Sequence, residues 1–199
     1  MAATLLARPD SQHLVIMGAG RVAYHLAHAY SALFPQLEQI SIWSRRPEQA
    51  ETLVSQLGQL NPQITVVSDL VSTLKTADIV STATMAHQPI LQREWIQAGT
   101  HIDLIGAFTG DMQEADAQLV VASKLYVDCH ETTHHIGDIA IPIAEGMMTT
   151  DHIQGDLYDL VQRQQGQLRS SEDISMFENG GGAHLDLMIA DRILVKMGL

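Results

Sequence analysis

Several things are scarce in this chain, and each scarcity excludes something. Of its 199 residues one is cysteine, Cys129, so no disulfide forms within the chain, and that usage suits the reducing cytoplasm, the expected compartment. Basic residues are few: 11 Lys and Arg stand against 23 Asp and Glu, for a formal net charge of -12. Without a basic stripe to grip phosphate backbones, nucleic acid is not an expected partner. No stretch approaches the roughly 18 consecutive apolar residues of a spanning helix, and the opening "MAATLLARPDSQ" lacks the apolar core of a secretory signal, so no membrane partner is expected either. Internal repeats and low-complexity linkers are also missing, and the expectation is one domain over residues 1–199. What is present, 46% hydrophobic and 17% charged residues with 5% aromatic, is enough to fold around a core.

From His13 onward, short β-branched runs alternate with longer helical patterns. "HLVIM" precedes Arg21–Leu33, "QISIW" precedes Pro47–Leu57, "ITVV" precedes Ser68–Leu74, "DIVST" precedes Gln92–Gln97, and "THIDLIG" precedes Met112–Ala122 and then "LYVD". This rhythm predicts an α/β fold with a doubly wound, mostly parallel sheet built by right-handed crossovers. Pro47 suits a first helical turn and Ser68 a helix cap, while Asn61-Pro62 ends a helix. After Asp128 the rhythm is lost in a segment rich in His, Thr and Met; "DLYDLVQRQQG" reads as a short helix. A C-terminal helix follows Gly180 to Gly182, with Leu185, Met188, Ile189, Ile193 and Leu194 near helical spacing. A helix so apolar needs a surface to pack against, and a homo-oligomer is expected.

Gly18-Ala19-Gly20-Arg21-Val22-Ala23 is a G-x-G-x-x-A turn placed where a first strand ends and a first helix begins. In that context the first glycine permits the tight turn, the second lets backbone approach a pyrophosphate, and the small third residue lets helix and strand pack closely. After the second strand an NAD-preferring site offers an acidic residue to the ribose hydroxyls. This chain has Ser44-Arg45-Arg46 instead. Guanidinium groups suit a 2′-phosphate, which a carboxylate repels, so NADP(H) is expected in preference to NAD(H).

His130-Glu131-Thr132-Thr133-His134 matches H-E-x-x-H, which on a helix places two imidazoles on one face for zinc. The longer form of that motif needs histidine where Ala140 stands, and the paired threonines disfavour a helix. No metal is assigned.

Taken in order, "LLARPDSQHLVIMGAGRVAYHLAHA", "ISIWSRRPEQAETL", "ADIVSTATMAHQPIL", "WIQAGTHIDLIGA", "LYVDCHE" with "GDI", and "RSSEDISMFENGGGAHLDLMIADRIL" make the chain resemble the ornithine cyclodeaminase/mu-crystallin family over nearly its whole length. The resemblance implies an NAD(P)-binding Rossmann fold, with residues 1–12 as a connecting helix and 179–199 as the C-terminal helix. Family members cyclise ornithine, oxidise amino acids such as alanine, or reduce cyclic ketimines, so an amino or imino acid is the implied small-molecule substrate. It further implies that Gly18, Gly20, Arg21 and Val22 meet the pyrophosphate and that Ser44, Arg45 and Arg46 meet the adenosine phosphate. Thr82, Ala83 and Thr84 would line the ribose and nicotinamide, with Gly106, Ala107, Asn179 and Gly180 near the nicotinamide ring. Two departures stand out. The family's preceding substrate-binding and dimer-forming domain is expected to be absent, and Phe108 stands where cyclodeaminases and alanine dehydrogenases use a catalytic aspartate. Phenylalanine exchanges no proton, which argues against ornithine cyclisation. Two readings stay open: an NADP(H)-dependent reductase of cyclic imines, and a non-catalytic nucleotide-binding module. No catalytic residue is assigned.

Overall fold

The computed structural model describes residues 2–58, 60–162 and 168–198. A short helix α1 (Ala2–Leu6) leads into β1 (His13–Met17), α2 (Arg21–Leu33), β2 (Gln39–Trp43), α3 (Pro47–Leu57), β3 (Gln63–Val66), α4 (Leu70–Leu74) and β4 (Ile79–Thr82). A single 3-10 turn, Arg93–Trp95, separates β4 from β5 (His101–Leu104), which is followed by α5 (Ala117–Ala122) and β6 (Lys124–Val127). Three helices, α6 (His130–Thr133), α7 (Gly137–Ala144) and α8 (Leu157–Gln162), precede β7 (Ser175–Glu178) and the C-terminal α9 (Ala183–Met197).

The strands form one seven-stranded sheet in the order β3-β2-β1-β4-β5-β7-β6, and every pair is parallel. Successive side chains alternate between its faces. Leu14, Ile16, Ile40, Ile42 and Ile79 meet Ala23, Ala27 and Tyr30 of α2 and Leu53 and Leu57 of α3 on one face. Val15, Met17, Val80, Ile102 and Leu104 meet Leu74, Leu119, Val120 and Ile139 on the other. Each fully buried aliphatic side chain contributes roughly 1.5–3 kcal/mol, so covering both faces is what makes an all-parallel sheet stable. One polar chain crosses the first face. Tyr30 donates to Asp103 Oδ2, His101 bonds Asp103 Oδ1 at 3.1 Å and Ser175 Oγ at 2.9 Å, and Arg169 donates to Ser175 Oγ at 2.9 Å.

Several local expectations are corrected. The helix expected over Met112–Ala122 covers only Ala117–Ala122. Asp116 caps it by accepting from Leu119 N at 2.7 Å, while the preceding residues run extended, with Glu114 O accepting from Ile90 N and Leu91 N. Asp69, not Ser68, caps α4. Gln92–Gln97 yields only the 3-10 turn. The segment without clear period holds α7, whose apolar residues lie on all sides and leave no face to read, and β7 is a strand that sequence reasoning did not place. Of "DLYDLVQRQQG", residues 157–162 are helical and 163–166 lie outside the described residues. α9 buries none of its residues; Met188, Ile189, Ile193 and Leu194 of the expected apolar set are exposed, with Leu187 beside them, while Leu185 is half-buried. No helix among the described residues is long and apolar enough to cross a membrane.

Candidate functional site

Strand order reverses at β1, which has β2 on one side and β4 on the other. The chains leaving these three strands at their carboxyl ends diverge there, and open parallel sheets bind ligands in such a crevice. A cleft of about 320 Å³ fills it, lined by Gly18 to Gly20 from the first turn, Trp43 to Arg46 and Gln49 from the second, and Ala83 to Ala86 with Ile90 from the loop after β4.

Each wall has a local cause. Gly18 has φ +127°, a region that L side chains rarely adopt, and a Cβ there would lie 2.6 Å from Ala83 O. That close approach is fixed by Gly18 N donating to Trp43 O at 2.8 Å and Ala83 N donating to Met17 O at 2.7 Å. Gly20 differs: a Cβ there would meet nothing within 4 Å, so its face is open to a ligand. It is also the N-cap of the 13-residue α2 and brings no side-chain cap, which leaves the first-turn amides of that helix to an anion. Opposite, Arg46 caps α3 ahead of Pro47, and its backbone N–H donates to Ser44 Oγ at 3.4 Å. With the Gln49 amide oxygen turned toward it, Arg46 Nη2 donates to that oxygen at 2.8 Å. No carboxylate lines the cleft among the described residues, and Arg45 and Arg46 are its charged groups. A diphosphate against Gly20 and a further phosphate against Arg45 and Arg46 fit these walls.

Behind the cleft lies a residue that sequence reasoning missed. Glu114 is fully buried and accepts four hydrogen bonds: Thr82 Oγ1 at 2.7 Å and Gly106 N at 2.8 Å on Oε2, Thr84 N at 2.8 Å and Thr84 Oγ1 at 2.6 Å on Oε1. Its own N–H donates to Asp138 Oδ1 at 2.9 Å, as does Ala115 N. Burial pushes the Asp138 carboxyl up to about 7, with the Glu114 charge adding to the rise and the two amide bonds opposing it. Burial also pushes Glu178 well above the usual carboxylate range, reinforced by Asp138, Glu114 and Asp128. Neither carboxyl oxygen of Glu178 has a hydrogen-bond partner among the described residues.

Of the residues expected at a dinucleotide, Gly18, Gly20, Ser44, Arg45, Arg46, Ala83 and Thr84 line this one cleft. Arg21 and Val22 sit exposed in the first turn of α2, outside the lining. Thr82 is buried beneath it on Glu114. Gly106 lies on the adjoining loop, so tight that a Cβ would come 1.8 Å from Thr84 O, and Ala107 is buried with Met112 and Ile136. Asn179 and Gly180 follow β7, where Asn179 N donates to Leu104 O and Asp128 Oδ2 accepts from Gly182 N at 3.3 Å. Phe108 is 55% exposed. Trp43, Gln49, Met85, Ala86 and Ile90 are lining residues that the sequence motifs did not flag. The H-E-x-x-H match forms one turn, α6, with His134 as its C-cap. His130 instead lies with Asp156 and Asp159, ligand atoms within 4.8 Å of one another, and both aspartates already accept backbone N–H groups at the start of α8.

The model of the ornithine cyclodeaminase/mu-crystallin family matches residues 1–197. The chain belongs to the ornithine cyclodeaminase/mu-crystallin family. Among curated members of that family, a Delta(1)-pyrroline-2-carboxylate reductase of Paracoccus denitrificans is 51% identical over 97% of this chain and 61% of its own length. A second such reductase, from Colwellia psychrerythraea, is 30% identical over 99% of this chain and 63% of its own length. Among solved structures, the Thermococcus litoralis Delta(1)-pyrroline-2-carboxylate reductase in complex with NADH and L-proline superposes with a TM-score of 0.90 at 29% identity, covering 100% of this chain and 62% of that one. An archaeal alanine dehydrogenase dimer with bound NAD gives 0.88 at 25% identity, covering 100% of this chain and 62% of that one. The chain thus spans about three fifths of the length of the relatives it matches.

Proposed function

We propose that the chain is the NADP(H)-binding portion of a reductase for cyclic imino acids. The observation that carries this reading is the cleft itself, with open backbone at Gly20 on one side and Arg45 and Arg46 on the other. Kinship with reductases of a five-membered cyclic imine, one of them solved with NADH and L-proline, supports the substrate class. When bound, a reduced nicotinamide would supply the hydride for the C=N carbon, and with a proton on the ring nitrogen the imine would become a cyclic amine. The chain's own residues supply the binding. The amides at Gly20 and the start of α2 would hold the diphosphate and Ser44, Arg45 and Arg46 the adenosine phosphate, while Ala83 to Ala86 with Ile90 form the opposite wall.

A second reading has its own support. No carboxyl, imidazole or amine lines the described cleft, so a proton for the ring nitrogen comes from outside it. A chain that binds nucleotide without turnover follows if no second chain supplies that group. Self-association belongs to the first reading, since α9 exposes seven large apolar residues from Leu187 to Met197 and such patches mark interfaces.

The deciding experiment mixes the purified chain with NADPH and Delta(1)-pyrroline-2-carboxylate and follows nicotinamide absorbance. Oxidation that depends on the imine supports the reductase. Tight NADPH binding without oxidation supports the second reading, and no binding of NADPH overturns both.

A further inference from the structure

The cleft-lining loop after β4 has to hold one shape to form a wall, and little of its own sequence enforces it. The last register pair between β4 and β5 is Thr82 with Leu104, and the last ladder bond runs from Ile105 N to Thr82 O. Beyond that point the amides of Thr84 and Gly106 have no strand to donate to. The Glu114 side chain takes both, one on each carboxylate oxygen, and so continues the ladder where backbone pairing stops. Its backbone carbonyl accepts from Ile90 N and Leu91 N, each at 2.9 Å. One residue therefore fixes both ends of the stretch from Thr84 to Ile90, while Glu114 itself stays outside the cleft lining.

The two ends of the cleft are separable. In the sheet order β2-β1-β4, Arg45 and Arg46 stand beyond β2 and the Glu114-held loop beyond β4, with the glycine turn between them. We infer that Glu114 is a positioning residue for the half of a bound dinucleotide that lies past the diphosphate, and that the adenosine half does not depend on it. This rests on the nucleotide reading proposed above.

Two measurements on the whole chain test it. In the ligand-free protein, Glu114→Gln places an amide NH₂ against donors that now face oxygen, so hydrogen exchange at the Thr84 or Gly106 amide should quicken at least tenfold. Exchange in β1 and β2 should stay unchanged. With ligand, the dissociation constant for NADPH should rise at least tenfold, while that for adenosine 2′,5′-bisphosphate, which lacks the nicotinamide half, should stay within twofold. Thr82→Val removes only one of the four hydrogen bonds and sits outside the cleft; it should give the same pattern, about threefold, if the glutamine variant fails to fold. Unchanged exchange overturns the inference, as does an equal loss of affinity for both probes or for neither. If exchange quickens but the parent chain binds neither probe, the nucleotide reading is what fails, and the ligand half of the inference falls with it.

Discussion

Asp138 offers a test of the buried acidic cluster that is independent of any ligand. Its Oδ1 accepts from Glu114 N and Ala115 N, both at 2.9 Å, and the side-chain amide oxygen of an Asp138→Asn variant can accept both as well. What the substitution removes is a charge buried beside Glu114 and Glu178, with Asp128 next to the latter. The carboxyl sits at about 7 in the folded chain against 3.8 ordinarily. Because the folded value is the higher one, folding is favoured by the proton. The contribution is full below about pH 4, declines as the pH rises, and is gone above about 7. That rise corresponds to roughly 4 kcal/mol at most. Between pH 5 and pH 8 the asparagine variant should therefore gain on the parent by roughly 3 kcal/mol, read from urea unfolding at the two pH values. Any fixed cost of placing the new Nδ2 group is the same at both, so the pH difference isolates the charge. An equal stability difference between variant and parent at pH 5 and pH 8, or a variant that loses ground on the parent at pH 8, would show that the carboxylate is well solvated or paired and would refute the reasoning.

Three further outcomes are expected. Gly106→Ala forces a methyl group to within 1.8 Å of Thr84 O and should cost about 3 kcal/mol, the upper end for overpacking, in thermal or denaturant unfolding. Gly20→Ala, with nothing within 4 Å, should leave stability within about 0.5 kcal/mol yet abolish nucleotide binding in a fluorescence titration. The exposed apolar residues of α9 predict a mass larger than one chain in light scattering at micromolar concentration, reduced to one chain by Leu187→Lys with Ile193→Lys.

Much of the site was legible because it depends on local chemistry. The turn needs glycine at Gly18, where a Cβ would clash with Ala83 O, and the helices Arg21–Leu33 and Pro47–Leu57 start at the turn glycines and at Pro47, so both match the structure residue for residue. The serine and arginines after β2 could be read as cleft residues because the strand ends where its apolar run ends, at Trp43. Glu114 was not legible. It lies in "DMQEAD", which reads as the start of a helix, and its donors at Thr82 and Thr84 are about 30 residues away in sequence. β7 was missed for a related reason: Ser175 and Glu178 are polar yet fully buried, the serine by His101 and Arg169, the glutamate inside a cluster of acids. Tertiary partners, invisible to periodicity, decide such positions.

In the proposed function, Arg45 and Arg46 past the second strand read the adenosine phosphate of a dinucleotide held at Gly20. Titrating the parent chain and an Arg45→Ala, Arg46→Ala double variant with NADPH and NADH tests it directly. Charge-assisted contacts of about 1.5–3 kcal/mol predict that the parent binds NADPH at least tenfold more tightly than NADH, and that the variant loses this difference by weakening NADPH alone. Tighter binding of NADH by the parent, or a double variant with an unchanged ratio, would contradict it.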